Sequence, residues 1–186
     1  MLLIVAAVLG FVIGVVARGD VRRLGDLRLR WPVVVLVALA IKELGVWGPL
    51  AGSRVWAPVL YSVSLAVLIA WAVWHVRRLP GVWLAALGMA MNLAVVLANG
   101  GHMPVAPDLA HRGPSQLVEQ GYLGQYVLEG PGTRLAYLDD RIQLPGVLGT
   151  LLPQAYSLGD LVMSAGLFVV TLLATHVKTG TPREGR

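Results

Sequence analysis

Five stretches of this chain hold, or nearly hold, the ~20 mostly apolar residues that a helix needs to cross a bilayer. They leave few other folds open. They run over residues 2–17, 31–47, 56–76, 81–99 and 160–177. Only 13% of the 186 residues are charged, 56% are apolar, and the mean hydropathy is +0.71. A soluble domain carries about 25% charged residues, so this chain has too little polar surface to coat a globule in water. Lipid as solvent resolves the deficit. The predicted fold class is therefore all-α: a single polytopic membrane domain with five transmembrane helices. The first stretch has no basic residues ahead of it and no small-residue cleavage site, which reads as a retained helix rather than a signal peptide.

Charge placement orients the bundle. Arg18, Arg22, Arg23, Arg28 and Arg30 follow the first stretch, Arg77 and Arg78 follow the third, and Lys178, Arg183 and Arg186 follow the fifth. Positive charge stays on the cytoplasmic side. The link after the second stretch carries only Arg54, and the loop over residues 100–158 holds three arginines against five acids. The signs alternate without conflict, which puts the N-terminus and the long loop outside. The formal net charge of +5 thus suits anionic headgroups and topology rather than nucleic acid, for which no groove-reading motif is present.

The long loop is rich in turn residues (Pro104, Pro107, Pro114, Gly130-Pro131-Gly132, Pro145) yet also holds Tyr122, Tyr126, Tyr137 and several leucines. It is expected to fold onto the outer helix ends, with residues 115–128 spaced for a short amphipathic helix.

Four groups of residues could carry chemistry. Asn99-Gly100-Gly101-His102 ends the fourth stretch, and Asn92 lies on the same helix face as Asn99. Asn and Gly also serve as ordinary C-cap residues, so this run reads either as a helix end or as part of a polar ligand-binding site. Ser157-Leu158-Gly159-Asp160 opens the fifth stretch with capping-box spacing. Asp160 would equally suit acid/base work at a helix mouth. Asp139-Asp140-Arg141 offers an ion pair, or a carboxylate that could join Asp160 as a catalytic pair sharing a proton. Lys42-Glu43 sits near the outer end of the second stretch, where a functional charge and a snorkelling one are both possible.

Several chemistries are excluded or weak. There is no cysteine, so disulfides, thiolate metal sites and cysteine nucleophiles are out. His102 and His111 have no recognised metal-ligand spacing, and no metal or cofactor is expected. Gly10 and Gly14 form a small-xxx-small face that predicts contact with another helix, in this chain or a partner.

The run from Asn99 to Val105 (Asn-Gly-Gly-x-Met-Pro-Val), then Leu138-x-Asp140 and Ser157-x-Gly-Asp160, resembles a small bacterial membrane-protein family, domain of unknown function 5317. That resemblance implies a multi-pass protein of the bacterial plasma (inner) membrane and carries no activity. A partial similarity links Tyr156 to Asp160, Gly166 and Asp139-Asp140-Arg141 to lipoprotein signal peptidases, which are intramembrane aspartyl proteases. Ser157 stands where those enzymes have asparagine.

Three functions follow as expectations. In the first, Asn92, Asn99, Gly100, Gly101, His102 and Ser157 converge with Asp140 and Asp160 in a polar site at the outer membrane face, binding a lipid headgroup, a small amphiphile or a partner helix. In the second, Asp140 and Asp160 catalyse hydrolysis. In the third, the chain is an accessory subunit of a larger membrane complex, with Gly10 and Gly14 facing its neighbour.

Overall fold

Trp56–His75 (α4) is the longest helix of the computed structural model, which describes residues 1–25, 29–46, 50, 53, 55–109 and 122–176. Its start follows from Ser53, whose Oγ accepts from the Trp56 amide at 3.0 Å, and from Pro58, tolerated in a first turn where no amide is needed. The other helices are Leu2–Val16 (α1), Arg22–Gly25 (α2), Pro32–Val46 (α3), Val82–Ala98 (α5), Gly146–Leu151 (α6) and Leu158–Ala174 (α7). Among the described residues α4 alone is both long and apolar enough to cross a membrane; α1, α5 and α7 are shorter apolar helices. At 1.5 Å per residue, a 15-residue helix such as α1 spans about 22 Å.

The long helices pack in the spatial order α1–α7–α5–α4–α3. Small residues set the close approaches. A Cβ on Gly10 or Gly14 would run into Phe168, Thr171 or Leu172 of α7 or into Thr175 just beyond its end, so this face is filled within the chain itself. A Cβ on Gly166 would meet the backbone of Ala85, and one on Gly88 would meet that of Gly159 and Met163. The α5–α7 crossing is therefore backbone against backbone. Ser64 Oγ, buried on α4, donates to the Ala38 carbonyl of α3 at 2.6 Å.

The two ends of the bundle differ. At one end, the linker after α1 is tied to the ends of α7 and α4. The Asp20 amide donates to the Thr175 carbonyl, Arg23 Nη1 donates to the His176 carbonyl, and the Arg30 amide donates to His75 Nε2. The other end is covered by the long loop, and here the structure departs from an all-α expectation. Met103–Val105 (β1), Tyr122–Leu123 (β2) and Tyr126–Leu128 (β3) form a small sheet of order β1-β3-β2, with β1 parallel and β2 antiparallel to β3. The helical spacing read over residues 115–128 fails over 122–128. Gly124, at φ +55°, and Gln125 form a two-residue hairpin turn there, with Gly supplying the positive φ. Residues 115–121 lie outside the described residues.

The chain then continues this sheet one bridge at a time. Asp140 pairs with Val105, and Ile142 pairs with Tyr156. The main-chain bonds run from the Asp140 amide to the Pro104 carbonyl and from the Ala106 amide to the Asp140 carbonyl. Tyr156 and Ile142 exchange bonds of 2.9 Å in both directions. Backbone pairing thus passes from the end of α5, through β1, to Asp140 and on to the start of α7.

Candidate functional site

The Asn-Gly-Gly motif terminates α5. Gly100 and Gly101 have φ of +68° and +91°, and the Gly101 amide donates to the Val96 carbonyl at 2.8 Å. This is the left-handed helix stop that glycine makes without strain. Asn99 uses its whole side chain to hold the loop. Nδ2 donates to the Val95 and Arg134 carbonyls, and Oδ1 accepts from the Arg134 amide at 2.9 Å. Asn99, Gly100, Gly101 and His102 are not among the residues lining the cavity described below. Their placement starts β1, which in turn holds Asp140.

Asn92 faces α7. Its Nδ2 donates to Asp160 Oδ1 at 2.8 Å, and its Oδ1 accepts from Ser157 Oγ at 2.9 Å. Ser157 and Asp160 complete a capping box: the Asp160 amide donates to Ser157 Oγ at 2.9 Å, and the Ser157 amide donates to Asp160 Oδ2 at 3.3 Å. Ser157 is therefore the N-cap, and α7 begins at Leu158, two residues before the expected start. The capping reading and the polar-cluster reading of this motif coexist in one closed network. Gly159 makes room for it, because a Cβ there would collide with the Asn92 carboxamide.

The two adjacent acids divide their roles. Asp139, fully buried, is gripped by Arg141, whose Nε donates to Oδ1 at 2.6 Å and whose Nη2 donates to Oδ2 at 3.2 Å. Nη2 also reaches Glu129 at 2.9 Å. These bonds raise the guanidinium pKa further, the Asp139 hydrogen bond most of all. Asp140 points elsewhere. It is 7% exposed, and among the described residues its Oδ1 has no hydrogen-bond partner.

Asp140 and Asp160 line one cavity of about 190 Å³. All five long helices contribute to its wall, including Lys42 of α3, Tyr61 of α4, Asn92 of α5 and Asp160 of α7, and the loop adds Tyr126, Asp140 and Tyr156. The remainder of the wall is largely apolar, with Leu39, Leu65, Leu68, Met89 and Met163. The Tyr156 hydroxyl is buried and, among the described residues, has no hydrogen-bond partner. Burial, then the proximity of Asp160 and Asp139, push the Asp140 carboxyl well above the ordinary carboxylate range. Burial also raises the phenols of Tyr126 and Tyr156. The described residues contain no cluster of His, Asp and Glu suited to a metal ion.

Of the residues singled out in the sequence, the structure brings Asn92, Ser157 and Asp160 together and sets Asp140 in the same cavity as Asn92 and Asp160. Sequence reasoning missed Tyr61, Tyr126 and Tyr156 as wall residues. Tyr61 sits in an apolar run with nothing to mark it, whereas Tyr156 adjoins a motif and was within reach. Lys42 was noticed as a charge in an apolar helix but not joined to the aspartates.

Fold and site define a class: a mostly helical bundle whose loop-covered end encloses a carboxylate-bearing, largely apolar cavity. The chain belongs to the family of unknown function DUF5317, which it matches over residues 26–172. Comparison with curated proteins and with solved structures gives no match. The matched span includes Asn92, the Asn-Gly-Gly turn, Asp140 and the capping box, whereas the whole of α1 lies outside it.

Proposed function

We propose that this is a multi-pass protein of the bacterial inner membrane, with five membrane-crossing helices and its N-terminus outside, and that its outer-face cavity binds an amphiphile. The observation that carries the reading is the cavity shared by Asp140 and Asp160, polar at its loop side and walled elsewhere by leucine and methionine. Ligand sites are concave and mostly apolar, with a few placed polar groups.

The helix surfaces support the membrane setting. Ile4 and Val8 on α1, Val33 and Leu36 on α3, and Val59 and Val63 on α4 are exposed, as lipid-facing residues would be. The basic residues Arg18, Arg22, Arg23, Arg30, Arg77 and Arg78 belong to the end opposite the cavity, which fits a cytoplasmic assignment for that end. The shorter helices require local thinning of the bilayer or snorkelling of their flanking residues.

The absence of native cysteine makes the topology directly testable. Cysteine at Gly132, where a side chain meets open space, should react with a membrane-impermeant thiol reagent in intact cells, and cysteine at exposed Arg78 only after permeabilisation. The reverse pattern would contradict the orientation.

A second reading is favoured by the same carboxyls. The Asp160 carboxyl accepts from two donors, Asn92 Nδ2 and the Ser157 amide, whereas Asp140 keeps an oxygen without a partner among the described residues. Two acids in unlike environments are what acid/base hydrolysis requires. If the protein is an aspartyl hydrolase, Asp140→Asn abolishes cleavage of membrane-anchored peptides by protein that remains folded.

A further inference from the structure

We infer that the amphiphile taken by this cavity carries a protonated amine, with Asp140 and Asp160 receiving its N–H groups. The inference rests on the amphiphile-binding reading above and specifies its ligand. Asp140 lines the cavity, and its Oδ1 is buried without a partner among the described residues. A buried carboxylate oxygen left in that state is costly, and an N–H donor is the group that relieves it. Asp160 adds a second carboxylate to the same wall.

Lys42 is the lysine in the wall; its Nζ lies 3.6 Å from Glu43 Oε1, which shares part of its charge, and the rest acts on Asp140 and Asp160, leaving two carboxyls to one lysine. The phenols of Tyr61, Tyr126 and Tyr156 line the same space, and tyrosine rings tolerate a cation where aliphatic walls do not. The Tyr156 hydroxyl, likewise unpartnered among the described residues, supplies a further acceptor.

Size limits what enters. A cavity of about 150 Å³ accommodates benzene, so 190 Å³ takes a small head and leaves a hydrocarbon chain to lie outside. An ammonium head with N–H groups fits this description better than a quaternary one, which has no proton to give Asp140. The same head occurs on an ethanolamine lipid and on a free alkylamine.

The test uses full-length protein in neutral detergent with decylamine, decyltrimethylammonium and decanol as probes, followed by nanodiscs of phosphatidylethanolamine or phosphatidylglycerol. Decylamine should bind at least about tenfold more tightly than decanol or decyltrimethylammonium. Asp140→Asn should remove that preference while decanol still binds, which shows the cavity intact. Retention of the ethanolamine lipid over the glycerol lipid after transfer to detergent would identify a membrane lipid as the source. Decylamine binding without such retention would identify a free amine. Equal affinity for decylamine and decanol would overturn the amine assignment and leave the amphiphile cavity standing. No binding of any probe or lipid would overturn both.

Discussion

Asn92 Nδ2 donates a 2.8 Å hydrogen bond to Asp160 Oδ1 across the α5–α7 crossing. The two residues lie 68 positions apart in sequence, and each depends on the other. The amide gives Asp160 a donor, and its oxygen takes the proton of Ser157 Oγ, whose own oxygen caps α7. One side chain thereby aligns two helices, a helix terminus and one of the cavity's two carboxylates.

Asn92→Ala should therefore cost more than an ordinary surface change. It leaves Asp160 Oδ1 without its donor and the Ser157 hydroxyl proton without its acceptor in a part-buried setting, and each such loss costs about 1–3 kcal/mol. Ser157→Ala removes the cap and should cost about 1 kcal/mol. Because both act in one network, the double variant should lose less than the two losses added. Thermal unfolding of the four proteins in the cycle checks this, and strict additivity would contradict the network.

Gly159→Ala should be disruptive although the change is a single methyl. The added Cβ lands on the Asn92 carboxamide and near the Gly88 carbonyl, and overpacking of this kind costs about 1–3 kcal/mol. Gly132→Ala, with nothing within 4 Å of the new atom, is the control and should leave the melting temperature unchanged.

Asp140→Asn should stabilise the ligand-free protein, and increasingly so as pH rises. Burial, together with Asp160 and Asp139, raises the folded-state pKa of Asp140 above its ordinary value of 3.8. The folded protein then binds this proton at pH values where the unfolded chain has released it. The stability it contributes is full below the ordinary value and is lost as pH climbs through the raised one. An amide has no such loss. Melting temperatures of the two proteins should be close near pH ~4 and separate towards pH ~8. A gap that shrinks with pH would show that Asp140 is ionised without cost.

Arg141→Met should destabilise more than Glu129→Gln. The second removes only the charge at Glu129 and keeps an amide oxygen for the guanidinium, whereas the first leaves Asp139 buried without its ion partner. Removing one partner of a buried pair costs about 3–5 kcal/mol when both ions are dry; Arg141 is 40% exposed at its side chain, so the loss should fall below that range. Amide hydrogen exchange should quicken at Asp140 and Ala106, where the backbone bridge to β1 depends on this corner.

The positions of the helices were readable from hydropathy because each segment is apolar nearly all round. Their partners were not, since Gly10, Gly88 and Gly166 mark faces for close packing without naming the helix that fills them. The capping box was readable because Ser157 and Asp160 act locally, over one helical turn. Asn92 reaches Asp160 through the α5–α7 crossing, and Asp140 meets the cavity through single backbone bridges that join Val105 to Asp140 and Ile142 to Tyr156. No local spacing encodes that assembly. The hairpin at Gly124 was misread as helix because leucine and valine recur there at helical intervals, while the positive φ of one glycine sets the turn.

The central claim is that the cavity between the helices and the loop holds an amphiphile, and filling the cavity tests it most directly. Mass spectrometry under conditions that preserve bound lipid, on protein extracted from its own membrane, should show one amphiphile per wild-type chain. Met89→Trp, which adds bulk to the cavity wall, should show none, while Leu151→Trp on the exposed side of α6 retains it. Equal occupancy in the wild type and Met89→Trp would contradict the account.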